Sequence, residues 1–258
     1  MDHKELIGVV GGLGPYAGLD VVRKIFDQTA ATKDQEHLPV VMLSYPDRVG
    51  DRTAYILGKT KPNPAYAIAD ILGQLELLGA SVAGIACNSA HAPGIFDVIE
   101  AEREKRKIHL RLLSIVEETA RFLAQHRPMV KRIGLIATVG TVKSRVYETR
   151  LEAVGLQPVL PSEDVQQNLV HAAIYDPANG IKARSNPVTE QARRNLLDAI
   201  THLQGRGAEA VIMGCTEVTL AVPERTIGTT VLVDPGVILA RALIRETYPE
   251  KLRPLATN

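Results

Sequence analysis

The chain predicts an α/β protein of two pseudosymmetric domains, each a mostly parallel sheet flanked by helices, with a ligand cleft between them. Three observations carry this expectation. Short Val/Ile/Leu runs alternate with longer amphipathic stretches; the alternation repeats in the second half; and the two cysteines, Cys87 and Cys215, stand at equivalent places in the two halves. At 258 residues the chain exceeds the usual single-domain size and has room for two cores.

In the first half, residues 6–10, 40–45, 82–86 and 112–115 read as buried strands because their apolar runs are short and β-branched. Helical spacing separates them at 16–31, 64–78 and 92–105. In the second of these, Ala67, Ile71, Leu75 and Leu78 recur at steps of four or three and share one face. Such alternation predicts parallel strands covered on both sides.

The second half repeats the order. A strand at 132–137 leads to a helix over 142–153, a short strand at 158–160, helices over 164–173 and 186–203, and the apolar run 210–213. Nearly the same number of positions separates Gly8 from Cys87 as Gly134 from Cys215, which points to internal duplication. The fourth elements also correspond: Leu112 to Thr119 and Val231 to Ile238 each run from strand into helix. The resulting division is 1–116 plus 232–258 for one domain and 117–231 for the other.

Charge and composition narrow the function classes. Thirty Lys and Arg against 29 Asp and Glu leave a net charge of +1, which offers no general attraction for nucleic acid. No apolar stretch approaches the length of a membrane span, and the charged start lacks a signal-peptide pattern, so a cytoplasmic location is expected. Two distant cysteines indicate no disulfide framework, and no His/Cys/Asp cluster has metal-site spacing, so no metal is expected.

Parallel sheets bind ligands beyond the carboxyl ends of their strands. Both cysteines fall at such ends, in Cys87-Asn88-Ser89-Ala90-His91 and Gly214-Cys215-Thr216-Glu217. The loops Gly11-Gly12-Leu13-Gly14-Pro15 and Thr138-Val139-Gly140-Thr141 follow the first strand of each half. Glycines permit close backbone approach there, but the first loop lacks the full GxGxxG run and a well-placed acidic residue, which argues against a dinucleotide cofactor.

These two glycine-rich and cysteine motifs of the first half, together with Pro46-Asp47-Arg48 and Gly214-Cys215-Thr216-Glu217, resemble the aspartate/glutamate racemase family, nearest its aspartate-acting branch, from Ile7 to about Ala240. The resemblance implies two α/β domains, a homodimer, no pyridoxal phosphate or other cofactor, and two cysteines that exchange the α-proton of an acidic amino acid. It implies Cys215 as the group serving the L enantiomer and Cys87 the D enantiomer. It carries Arg48, Asp47, Asn88, Ser89, Thr216, Glu217 and Gly12 into substrate binding, with Lys182 as a second cation for a dicarboxylic substrate. Ser89 stands where many relatives have threonine, which keeps the hydroxyl and loses a methyl.

The residue types suit that chemistry. Inverting an α-carbon needs a base on one face and an acid on the other, and a thiolate/thiol pair supplies both. Free amides of helices following the cysteines would favour a thiolate. Developing charge on the substrate carboxylate requires preorganised donors, and Arg48 offers a bidentate fork. Arg48 has a surface salt bridge as its plainer reading, and Lys182 and Arg184 a solvated basic loop. Arg52 and Thr53 fall in the breaker-rich stretch 51–63, which reads as a mobile flap. His91, four residues after Cys87, invites a Cys-His nucleophile reading but is expected to pack or support.

Glutamate or a broader amino-acid substrate is the alternative within this reading. From another class, a non-catalytic amino-acid-binding module would share the two lobes and the carboxylate-directed arginine, but gives the matched thiols no task.

Overall fold

The structure, a computed structural model, describes residues 5–255 and consists of two α/β lobes built on separate sheets. Strands β1 (Leu6–Gly11), β2 (Val40–Ser44), β3 (Ala80–Ile85) and β4 (Arg111–Leu113) form an all-parallel sheet in the order β2-β1-β3-β4. Strands β5 (Arg132–Ile136), β6 (Gln157–Val159), β7 (Ala210–Met213), β8 (Thr226–Ile227) and β9 (Thr230–Val233) form the second, ordered β6-β5-β7-β9-β8. Only β8, an edge strand, runs antiparallel. The first four strands of each sheet therefore share one topology, the expected pseudosymmetry.

The duplication extends to side-chain packing. A Cβ on Gly8 of β1 would press on Ala80, Ala83 and Leu75, and a Cβ on Gly134 of β5 would press on Ala208, Val211 and Leu203. Each triad sits at the same sequence spacing from the cysteine that follows it. Both glycines thus let a helix and the neighbouring central strand close on the first strand, and that contact fixes where the third strand ends and its cysteine begins.

Several boundaries differ from the sequence expectation for local reasons. Strand β4 stops at Leu113 because Ser114 caps the helix Ile115–His126, accepting from the Glu117 amide at 3.3 Å. The helix expected over 142–153 is two, Val139–Lys143 and Val146–Ala153, broken at Arg145 with φ of 55°. The rod expected over 164–173 continues to Tyr175, with π-helical winding at Gln166–His171. The helix expected from 186 starts at Glu190, where Thr189 accepts from the Ala192 amide at 3.1 Å. The expected flap contains a helix, Arg52–Ile56, capped by Asp51, which accepts from the Ala54 amide at 2.6 Å. The hairpin strand β8 has no counterpart in the sequence reading.

Two connections join the lobes. The helix Ile115–His126 leaves the first sheet and packs on Val146–Ala153, while β9 leads into Pro235–Thr247, which packs on Pro15–Gln28 and on β1, β3 and β4. Asp234 starts this returning helix, accepting from the Gly236 amide at 2.8 Å, and pairs with buried Lys24 at 2.6 Å. One buried apolar cluster includes Ile7, Val9 and Val82 of the first sheet and Ile133, Leu135 and Ile212 of the second. Each such side chain contributes about 1.5–3 kcal/mol on burial, so the lobes share a core as well as a cleft. Among the described residues no helix is long and apolar enough to cross a membrane.

Candidate active site

The strand ends assemble the site. Cys87 follows β3 after one residue and turns sharply, its amide donating to the Ile85 carbonyl at 2.7 Å. Cys215 follows β7 at the equivalent place, with Gly214 alone between it and Met213. Both are free, buried thiols lining one cavity between the lobes. The three-residue turn Ser89–His91 separates Cys87 from the helix Pro93–Arg106, and only the four-residue helix Val218–Ala221 directly follows the Cys215 loop, so neither thiol stands in the first turn of a long helix.

Twelve residues line this cavity, and eight of them were singled out from sequence: Cys87, Asn88, Ser89, Cys215, Thr216, Glu217, Lys182 and Arg52. Its volume is about 10 Å³, room for roughly one water molecule. The structure therefore shows a closed cleft, which must widen to admit an amino acid.

The cysteines have unlike electrostatic neighbours. Cys87 Sγ lies 3.3 Å from Ser89 Oγ, and the buried Arg52 guanidinium stands beside it. Burial disfavours charge on Arg52, yet hydrogen bonding to Cys87 and the neighbouring Asp51 carboxylate more than reverse this and raise its pKa. Arg52 donates to the carbonyls of Gly50, at 3.0 Å, and Leu13, while its buried Nε has no partner. Cys215 instead donates to Glu217 Oε2 at 3.3 Å. Burial pushes the Cys215 thiol up, and the Glu217 carboxylate adds to the shift.

Glu217 is itself held by Lys182, whose Nζ donates to both carboxylate oxygens, at 2.9 and 3.1 Å. Burial lowers the Lys182 pKa, but the Glu217 carboxylate outweighs it and raises it overall, so the ammonium stays charged. A side chain at Gly14 would collide with the Glu217 carboxyl; the absence of a Cβ there lets a carboxylate from the second lobe reach the first-lobe loop.

Hydrogen bonds between lobes frame the cavity. Tyr147 Oη donates to Asn88 Oδ1 at 2.6 Å, leaving the buried Asn88 Nδ2 without a protein partner. Thr216 Oγ1 donates to the Ala86 carbonyl at 3.1 Å. Thr53 Oγ1 donates to Thr138 Oγ1 at 3.0 Å, and Tyr175 Oη donates to Asp51 at 3.2 Å.

Two sequence assignments stand elsewhere. Arg48 and Asp47 are exposed; Arg48 lies 4.5 Å from the Tyr45 ring centre and lines a separate groove with Tyr55 and Lys61. The turn after β2, closed by the Arg48 amide on the Tyr45 carbonyl at 3.1 Å, leaves both side chains outside, and Arg52 supplies the cavity's guanidinium. The chain carries two Asp-Arg pairs four residues apart, Asp47-Arg48 and Asp51-Arg52, and the second is the one turned inward.

Gly12 does not line the cavity. Its φ of 81° and the 2.6 Å approach a Cβ would make to the Tyr45 amide give it a role in shaping the loop. Arg184 lines a different surface cleft with Asn179 and Pro187. His91 is buried and stacks on Phe96; its Nδ1 lies 3.0 Å from the Cys87 carbonyl, and burial lowers its pKa to about 4. It thus holds the cysteine's backbone in neutral form.

The cavity also contains Thr138, Thr141 and Gly214, quoted from sequence only as parts of their motifs, and Tyr175, which the sequence reading did not name. The two threonines occupy the duplicate of the glycine loop, so the internal repeat carried a signal for them. Tyr175 carried none: nothing local distinguishes it from an apolar residue at a helix end.

Comparison with known proteins agrees with this geometry. Residues 10–243 match the family model described as Asp/Glu/Hydantoin racemase. A glutamate racemase from Listeria innocua is 25% identical over 224 residues, covering 85% of this chain and 71% of that protein. The fold resembles Picrophilus torridus aspartate racemase, with a TM-score of 0.77, 26% identity and 94% of both chains covered. A glutamate racemase from Francisella tularensis, solved with D-glutamate, shares the fold at TM-score 0.66 and 15% identity, over 99% of this chain and 85% of that one. The chain belongs to the Asp/Glu/hydantoin racemase family and is an enzyme of the amino-acid racemase type.

Proposed function

We propose that this enzyme interconverts L- and D-aspartate without a cofactor, exchanging the α-proton between Cys87 and Cys215. The observation that carries the reading is the pair of buried thiols at duplicated strand ends, lining one cavity from two lobes. In this reaction one cysteine thiolate removes the α-hydrogen and the other thiol donates a proton to the opposite face; the roles exchange in the reverse direction. Arg52 places a cation beside Cys87, where a thiolate can stand, while Cys215 beside Glu217 is held as the thiol.

Charge developing on the substrate α-carboxylate is met by Arg52, whose Nε is free, and by the unpartnered Asn88 Nδ2. Lys182 is the second cation, suited to the side-chain carboxylate, and Glu217 is the acceptor suited to the substrate ammonium. A dicarboxylic amino acid matches two cations and one carboxylate. Aspartate is favoured over glutamate by the likeness to an aspartate racemase. The homodimer of the family resemblance belongs to the same reading.

Incubation with L-aspartate in deuterated water tests it. Chiral analysis is expected to give D-aspartate carrying α-deuterium, and Cys87→Ala and Cys215→Ala are each expected to abolish interconversion. Unchanged L-aspartate would leave a binding protein; faster conversion of L-glutamate would transfer the assignment to that substrate.

A further inference from the structure

Beside the two connections between the lobes a second cavity, of about 380 Å³, is lined by four arginines: Arg127, Arg225, Arg241 and Arg253. None of the four has a carboxylate within ion-pair distance among the described residues, whereas most arginines on the helices do. The two acids of the lining are engaged elsewhere, Asp27 with Arg23 at 3.3 Å and Asp234 with Lys24 at 2.6 Å. Arg241 is half-buried and reaches only neutral oxygens, the Gln28 side chain at 2.7 Å and the Arg253 carbonyl at 2.9 Å. Burial without a compensating anion depresses its pKa. The same cavity is also lined by Phe122, Val231, Val237 and Ile238.

Four guanidiniums with no carboxylate partner among the described residues, lining a partly apolar hollow of this size, describe a ligand site. We propose that this cavity binds a small amphipathic anion, with the head group, a phosphate or carboxylate, on the arginines and an apolar body against Phe122 and Val237.

Its place in the fold gives binding a mechanical consequence. Arg127 ends the helix that leaves the first lobe, and Val231 to Val237 span the strand and helix start that return to it. Both covalent connections between lobes therefore line the cavity. A ligand wedged between them alters how readily the closed catalytic cleft widens; this second step rests on the proposed racemase reading, whereas the binding itself does not.

Calorimetric titration of the full chain with phenyl phosphate or benzoate tests the site and distinguishes the head groups, with benzyl alcohol and inorganic phosphate as controls. At least one amphipathic anion is expected to bind one per chain with Kd of about 1 mM or below. Benzyl alcohol is expected to give no binding and inorganic phosphate binding at least about tenfold weaker. Arg225→Glu, an exposed position, and Arg241→Gln are each expected to weaken binding about tenfold or more. Both variants retain the catalytic residues and, without probe, the rate of α-deuterium uptake. Failure of both anions to bind, equal affinity in the variants, or displacement by L-aspartate would overturn the site. Unaltered α-deuterium uptake in wild type at saturating probe would overturn the coupling while leaving binding intact.

Discussion

The hydroxyl of Thr216, the residue after one cysteine, donates to the carbonyl of Ala86, the residue before the other, at 3.1 Å. The two cysteine loops are therefore joined directly across the cleft, and the separation of the thiols is set by a single interlobe hydrogen bond as well as by the sheets behind them. Thr216→Val keeps the shape and removes the donor, leaving a buried carbonyl without that partner. The expected result is a stability loss of about 1–3 kcal/mol in urea unfolding and a larger proportional fall in kcat than in KM. Equal kcat in wild type and variant would show that the thiols are spaced without this bond.

Arg52 and Arg48 provide a direct contrast, because only Arg52 lines the cavity that holds both thiols. Arg52→Lys keeps a charge but loses the planar fork and is expected to lower kcat/KM for aspartate by about 10²-fold. Arg48→Ala, removing an exposed side chain that lies over Tyr45, is expected to stay within about twofold of wild type. The reverse ranking would place substrate binding at the outer groove.

What was legible in the sequence is what the backbone repeat dictates. Gly8 and Gly134, with their matched contact triads, specify two like sheets, and strand ends position Cys87 and Cys215 without further information. What was not legible depends on which way a loop turns. Arg48 and Arg52 are equivalent as letters, each after an aspartate, and the Asp51 cap on the helix Arg52–Ile56 decides which guanidinium is buried. Tyr147 likewise lies on a helix that reads as ordinary packing; its hydroxyl acquires meaning only when the lobes meet at Asn88.

That Tyr147–Asn88 contact, 2.6 Å long, fixes the amide so that Nδ2 is left without a protein partner, the atom that meets the substrate in the proposed mechanism. Tyr147→Phe removes the constraint while leaving both the apolar ring and the donor amide. The expected outcome is a roughly tenfold lower kcat with KM changed little, since the affected hydrogen bond strengthens as charge develops. A Tyr147→Phe enzyme with unaltered kcat would assign the hydroxyl to lobe packing alone.

Lys182 and Glu217 form a paired unit at a buried carboxylate, so single and double substitutions are expected to differ in sign of coupling. Lys182→Met leaves Glu217 buried without its cation and is expected to destabilise by about 3–5 kcal/mol, whereas adding Glu217→Gln recovers part of the loss. Both enzymes are expected to lose turnover, because the cation and the carboxylate each have a substrate group to meet. Additive stability losses in the double variant would show that the pair contributes no coupling.

His91 gives the fold a specific acid sensitivity. Its ring is buried, and burial lowers its pKa from an unfolded value near 6.5 to about 4. Between these values the unfolded chain binds a proton that the folded one excludes, so stability rises with pH across this window and its full contribution is present above it. As the pH falls through 6.5 toward 4, protonation of the unfolded state removes about 3 kcal/mol. Urea midpoints measured across that range are expected to drop for the wild type and to flatten in His91→Gln, which titrates no group there. The carboxylates contribute to acid unfolding in both proteins, so the difference between the two curves isolates the histidine. Parallel curves would mean that the ring accepts its proton in the folded state, which the stacked Phe96 and the surrounding apolar wall oppose.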